Sequence, residues 1–226
     1  MKKINNVLKA VVVFFIVACS GGEKNLKLSG TLEYTEHAVG ARVAGRVDNI
    51  LIEEGHDVKK GQQLATLDRY AQAKRDHERL VKLFKQGGAT EQAVEQAKLS
   101  VDDQEVVAPV DGVVLVKLHE AGEIVPAGGP IAVVGDDRKP WVRVYVSEDR
   151  VSRVHLQQEV TLRFDGTTHD VKGRITYISP KAEFTPRNVQ TSEERVNQTF
   201  AVKIAVDDPE RTLKPGVSAD VVLSLE

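Results

Sequence analysis

Six histidines, His37, His56, His77, His119, His155 and His169, are the side chains of this 226-residue chain best fitted to ligate a metal or move a proton near neutral pH. They are scattered without ligand spacing, so they read as solvated or structural residues and no metal site is expected. Met1 is the only methionine, which excludes a soft thioether site for copper. The carboxylate doublets Glu53-Glu54 and Asp102-Asp103 are adjacent in sequence, so their side chains diverge on a strand or helix and read as charged surface. No nucleophile motif or phosphate loop is present. The chain is therefore expected to have no catalytic residue and no cofactor. A formal net charge of −2 and a pI near 6.3 argue against a nucleic-acid partner. Aromatic residues, at 5%, are too sparse for a large aromatic ligand pocket.

The single cysteine offers a different chemistry. Lys2, Lys3 and Lys9 form a basic start, and Ala10 to Ala18 is an unbroken apolar run. That run falls far short of the ~20 residues needed to span a bilayer, so it fits an export signal. Ile16-Val17-Ala18-Cys19 resembles the lipobox of bacterial lipoproteins, which implies that residues 1–19 form a signal peptide and that Cys19 is lipidated. The mature chain would then carry no free thiol, which suits an oxidising periplasm. More than one acyl chain would hold it stably at the membrane. The inner membrane is favoured, although Ser20 would permit outer-membrane sorting in enteric bacteria.

What must position any working surface is an internal repeat. Shifted by 67 residues, Ala41, Val43, Gly45, Val47, Leu51, Glu53, Gly55, Val58, Gly61 and Ala65 fall on Ala108, Val110, Gly112, Val114, Leu118, Glu120, Gly122, Val125, Gly128 and Ala132. Alternation at Val43, Gly45 and Val47 predicts short strands. Gly45, Gly55 and Gly61, with their repeats Gly112, Gly122 and Gly128, are expected at structural turns, where glycine accepts positive φ without steric cost. Neither half can bury its apolar face alone, so the two should pair into one small barrel or sandwich.

Between the halves the pattern changes. "RYAQAKRDHERLVKLFKQ" is rich in helix formers, with Ala73, Leu80, Leu83 and Phe84 at helical spacing. Gly87 and Gly88 suit a C-cap and turn, and Thr90 can N-cap a second helix carrying Ala93, Val94, Ala97 and Val101 on one stripe. An antiparallel αα-hairpin with a thin apolar seam follows, its arms reaching roughly 25 Å. From Pro140 onward, spaced strand runs ("WVRVYV", "EVTLRF", "VKGRITYISP", "TFAVKIAVD", "SADVVLSLE") predict a small β-barrel. A short helix is expected over Ser147 to Val154 and an exposed loop over Pro186 to Gln198. The early alternating stretch "LKLSGTLEYTEHAVGA" could close that barrel.

"GRVDNILIEEGHDVKKGQQLATLD" and "APVDGVVLVKLHEAGEIVPAGGPIAVVGD" resemble the two halves of a biotinyl/lipoyl-type domain. Carrier proteins of that type present a modified lysine on a tight hairpin at the join, whereas Arg69 to Glu105 occupies it here. A lipoyl domain split by a helical hairpin resembles the HlyD-like periplasmic adaptor, or membrane fusion protein, family. The resemblance implies a mainly β fold with an α-helical hairpin. A lipoyl-like barrel-sandwich (39–68 plus 106–137) is expected around the hairpin (69–105), with a six-stranded-type β-barrel from 26–38 plus 138–226. Arg79, Leu83 and Thr90 match the Arg-x-x-x-Leu-x-x-x-x-x-x-Ser pattern with which such adaptors dock TolC-type outer-membrane channels, threonine replacing serine. The family also implies self-association to a trimer or hexamer and an inner-membrane transporter as partner. An ABC exporter is favoured over a resistance-nodulation-division pump, because no membrane-proximal segment follows the barrel. The alternatives are a lipoyl/biotinyl carrier subunit of an enzyme complex, which needs a modified lysine at the join, and a periplasmic ligand-binding lipoprotein, which needs alternating β and α units.

Overall fold

The computed structural model describes residues 25–184, 198–208 and 210–225. The expected signal peptide, Cys19 and all but the last residue of the 186–198 loop lie outside the described residues. The chain runs β1 (Asn25–Gly40), β2 (Gly45–Ile50), β3 (Asp57–Val58), β4 (Gln63–Leu67), α1 (Tyr70–Lys85), α2 (Glu91–Asp102), β5 (Glu105–Val107), β6 (Gly112–Lys117) and β7 (Ile124–Val125). It continues through β8 (Pro130–Ser147), α3 (Glu148–Val151), β9 (Glu159–Phe164), β10 (Val171–Ile178), β11 (Glu183–Phe184), β12 (Gln198–Val206) and β13 (Ser218–Ser224). The expected helix from Ser147 shrinks to the single turn of α3. Ser147 holds the N-cap position but makes no capping bond with its side chain.

The 67-residue shift carries strand onto strand. β2 maps on β6, β3 on β7, and β4 on the first five residues of β8; the last three residues of β1 map on β5. Pairing then exchanges strands between the halves. One sheet runs β5-β4-β2-β7, and its counterpart joins the end of β1 to the start of β8, then β6 and β3. Each half thus gives two strands to each sheet, so neither half completes a sheet by itself. The core repeats the relation: Val39/Val106, Ala41/Ala108, Val47/Val114, Val58/Val125, Leu64/Ile131, Ala65/Ala132 and Leu67/Val134 are all buried. Ile52 completes this core without a mate, because its counterpart is His119.

The β-barrel uses the other ends of the two long strands. β12, β10, β9, β13, β1 and β8 are hydrogen-bonded in that order, and pairing of β12 with β8 closes the ring. Strict alternation builds its interior, with Val160, Leu162 and Phe164 on β9, Ala219, Val221 and Leu223 on β13, and Val142, Val144 and Val146 on β8. Closure leaves no long edge open to another chain. Because β1 and β8 run through both units, sandwich and barrel share two continuous strands. The pairing steps from Glu33↔Trp141 to Thr35↔Asp136, so Asp137 to Pro140 bulge out at the junction.

Candidate docking surfaces

The hairpin grows from two paired strands. Thr66 faces Glu105 across β4 and β5, and the Leu67 N–H donates to the Gln104 carbonyl at 3.0 Å, so both helices leave the same sheet edge side by side. At the far end α1 stops in a Schellman motif. Gly87, at φ 76°, donates to the Phe84 carbonyl at 3.0 Å and Gly88 to the Leu83 carbonyl at 2.8 Å. Thr90 then starts α2, its Oγ1 accepting from the Ala93 N–H at 3.2 Å. Neither helix buries a single residue. The seam is half-buried Ala73, Leu80, Ala93, Val94, Ala97 and Val101, joined by Val81. Phe84 and Leu83, which the helical spacing assigns to that seam, are instead exposed at 44% and 40%. Both lie in the last turn of α1, where the partner helix is only beginning.

Arg79 projects with 70% of its side chain exposed and pairs with Asp76 one turn earlier. Leu83 is an exposed apolar side chain one turn nearer the end, and the hydroxyl of Thr90 is engaged in its cap. No hydrogen bond or ion pair links Arg79 to Thr90 among the described residues. At the opposite end, Val43, Arg69, Ala73, Asp76, Ala97 and Asp103 line a shallow groove at the hairpin's base.

The six glycines divide into two kinds. Gly55, Gly61, Gly122 and Gly128 have φ of 84°, 81°, 96° and 79°. Their N–H groups reach across the repeat: Gly55 donates to Val114, Gly122 to Val47, Gly61 to Ala108 and Gly128 to Ala41, each at 2.8 Å. The turns of one half therefore fasten the strands of the other. Gly45 and Gly112, expected at turns, instead open strands β2 and β6; backbone packing excludes a side chain at Gly112, while Gly45 lies in tight contact with the Leu67 side chain. A Cβ on Gly112 would stand 2.1 Å from the Gly135 carbonyl oxygen, and one on Gly45 would stand 3.3 Å from Leu67 Cδ1.

Two features went unread in the sequence. Lys117, only 15% exposed, is gripped by Glu53 at 2.8 Å and by its repeat mate Glu120 at 2.9 Å. Donating hydrogen bonds to the Glu120 and Glu53 carboxylates raises the Lys117 pKa well above the usual lysine range, and accepting from Lys117 holds Glu53 below the usual carboxylate value. The identity of Glu53 with Glu120 was the available signal. At the junction, Asp111 accepts from the Lys60 N–H at 2.6 Å and pairs with Arg138 at 2.7 Å, which lowers its pKa. Nearby, Tyr34 donates to the Leu213 carbonyl, and burial first, then Asp137 and Asp208, push its phenol up. Among the described residues no His, Cys, Asp and Glu gather as a metal-ligand set, and no helix is long and apolar enough to cross a membrane.

Two family models match this chain, one described as the RND MFP barrel-sandwich hybrid domain over residues 36–136 and one as the CusB-like beta-barrel domain over residues 139–226. The chain belongs to the membrane fusion protein, or periplasmic adaptor, family. A UPF0194 membrane protein of Citrobacter koseri is 33% identical over 132 residues, 58% of this chain and 40% of that protein. UPF0194 membrane protein YbhG of Salmonella gallinarum is 31% identical over 129 residues, 57% of this chain and 39% of that one. The chain thus spans about two fifths of the length of these relatives. Among solved structures, a MacA–MexA chimera carrying the Pseudomonas aeruginosa MexA α-hairpin superposes with a TM-score of 0.67 at 23% identity, covering 90% of this chain and 82% of that one. MacA from Actinobacillus actinomycetemcomitans follows at 0.62 and 19%, covering 90% and 79%. These two structural likenesses are likenesses of fold.

Proposed function

We propose that this chain is the adaptor subunit of a tripartite efflux or secretion system, joining an inner-membrane transporter to a TolC-type outer-membrane channel from a lipid anchor at Cys19. The observation that carries the reading is a helical hairpin with no buried residue, rooted in adjacent strands of a strand-swapped sandwich. Such a hairpin is built to meet another surface. In this reading Arg79, Leu83 and Thr90 belong to the end that docks the channel, the sandwich and barrel supply lateral contacts in a ring, and no residue is catalytic. An ABC exporter is the transporter favoured from the sequence, with a resistance-nodulation-division pump second. Replacement of Arg79 by Asp is expected to abolish export-dependent drug resistance in cells while leaving folding and membrane anchoring intact. Unchanged resistance would refute the docking role. Purifying the full-length chain from membranes with its transporter, and testing transport for ATP against proton-gradient dependence, separates the two classes.

The carrier reading has less support. A carrier presents its lysine at the join of the two halves, and here that join is α1, α2 and their turn. Intact-mass measurement of the purified chain tests it, since a lipoyl or biotinyl addition on a lysine would revive it.

A further inference from the structure

The barrel leaves one rim free. The starts of β1, β9 and β12 and the ends of β8, β10 and β13 lie together there, with Asn25 opposite Ser224 and Thr199 opposite Ser147. The other rim leads into the sandwich through β1 and β8. Among the described residues, the barrel exposes three large apolar or aromatic side chains, Tyr145, Leu156 and Tyr177. All three belong to the free rim. Tyr145 is two residues from the end of β8, Tyr177 is one residue from the end of β10, and Leu156 lies in the turn that leads into β9. Such side chains scattered singly over a barrel wall need no explanation, but three gathered at one end do.

Leu156 is the most exposed of them, at 59%, and its turn is braced on three sides. The His155 N–H donates to Gln158 Oε1 at 3.2 Å, the Gln157 N–H to the Ile175 carbonyl at 2.8 Å, and the Gln158 side-chain amide to the Ser224 carbonyl. Gln157 takes φ 68°, a left-handed conformation that is sterically costly for a residue with a Cβ. The turn holds that strain while it buries Val154 and leaves Leu156 outside the core. The charges around it balance. Arg150, Arg153 and Lys181 stand against Glu148, Asp149 and Glu183, and Arg174 pairs with Glu159 at 3.5 Å.

We propose that this rim rests in the headgroup layer of a lipid membrane, with Leu156 inserted beneath the headgroups and Tyr145 and Tyr177 forming an interfacial collar. The proposal rests on the reading of Cys19 as lipidated, and adds which face of the protein meets the lipid. Asn25 follows Cys19 by six residues, a reach of at most about 21 Å, so the acyl chains hold the free rim beside the bilayer. Tyrosine suits the boundary itself, its ring on the apolar side and its hydroxyl in water, and leucine suits the layer beneath. A tether alone leaves the protein free to tilt. Three contact points on one rim set the barrel upright and send the sandwich and hairpin away from the bilayer. Because the rim charges balance, the contact is hydrophobic and needs neither anionic lipid nor low salt.

The test places an environment-sensitive probe on the full-length acylated chain in lipid vesicles. Acylation consumes the one cysteine, so a single introduced cysteine carries the label. An NBD label at Leu156→Cys is compared with one at Leu83→Cys in the hairpin; both positions are exposed, so neither substitution removes core packing. The vesicles are of phosphatidylcholine alone or with phosphatidylglycerol, and carry a doxyl quencher on the acyl chain. Quenching is expected to be at least about fivefold stronger at the first position than at the second, alike in both lipids and between about 50 mM and about 500 mM salt. Equal quenching at the two positions overturns the proposal. Quenching confined to anionic vesicles, or lost at high salt, marks an electrostatic contact and overturns it too. A probe shielded from aqueous iodide yet untouched by the lipid quencher lies under a second protein copy, which also overturns it. Each of these outcomes on an acylated chain leaves the anchor reading standing, whereas an intact mass with no acyl groups on Cys19 sinks that reading instead.

Discussion

The sandwich and the hairpin are built from one continuous stretch of chain, yet they are stabilised in opposite ways. The sandwich closes on itself. Seven pairs of repeat-related apolar residues fill its core, and the turns of each half are hydrogen-bonded to the strands of the other. The hairpin has no such interior, only a half-buried seam and a capped turn. Helices of 16 and 12 residues are marginal in water by themselves, so these depend on rooting in β4 and β5 and on each other. The contrast teaches which part of the molecule stands on its own core and which part leans on the strands it grows from.

The comparison breaks most readily at its two leucines. Leu64→Ala in the sandwich is expected to cost about 3 kcal/mol, because a fully buried side chain leaves a cavity between two sheets that cannot collapse. Leu83→Ala in the hairpin is expected to cost less than about 0.5 kcal/mol. Urea unfolding of both variants checks this, and equal losses would mean that the hairpin is a packed element after all.

A smaller effect sharpens the same contrast. Thr90→Ala removes the side-chain cap of α2 and is expected to cost about 1 kcal/mol. Hydrogen exchange should show the loss as faster opening of α2 alone, with the protection of β4 and β8 unchanged, because a rooted hairpin opens locally. Faster exchange spread evenly over the sandwich would contradict separate stabilisation.

The smallest effect concerns Lys117. The lowered pKa of Glu53 contributes stability that is present above the ordinary carboxylate value of 4.5 and is lost as pH falls from there through the lowered folded value. The raised pKa of Lys117 contributes stability that is present below the ordinary lysine value of 10.5 and is lost as pH rises beyond it. Replacement of Lys117 by Met should therefore lower the urea midpoint modestly near pH 7, with the gap to wild type narrowing towards about pH 3 and about pH 11.5. Both carboxylates are about two-thirds exposed, so solvent screening keeps the difference small. A gap that stays constant across that range would remove the ion pair from the account.

The helix, glycine turn and cap that carry Arg79, Leu83 and Thr90 were legible because they are local: each is decided by residues within a few positions. The Lys117 clamp was not, since Glu53 lies 64 residues away and only sheet pairing brings it near. Leu51 and Leu118 show the limit of the repeat itself. They match in sequence beside core positions, yet both are exposed, at 55% and 44%. Periodicity marks equivalent places without saying which face is inward, and the short strands around them are too brief to decide it. Leu83 and Phe84 mislead for a related reason, because helical spacing assigns a face and only the length of the partner helix says how far that face is covered.

By itself the sequence determined the repeat, the helical interruption at its centre, the alternating strands of the barrel and the glycines that must turn. These are one-dimensional properties of spacing, propensity and side-chain size. Tertiary structure alone decided that the halves exchange strands, that β1 and β8 thread both units as continuous strands, and that Gly45 and Gly112 serve close packing. It also decided that Tyr145, Leu156 and Tyr177 gather at the free rim of the barrel. Each of those outcomes depends on hydrogen bonds and steric contacts between residues far apart in the chain, and no local window of sequence contains both partners.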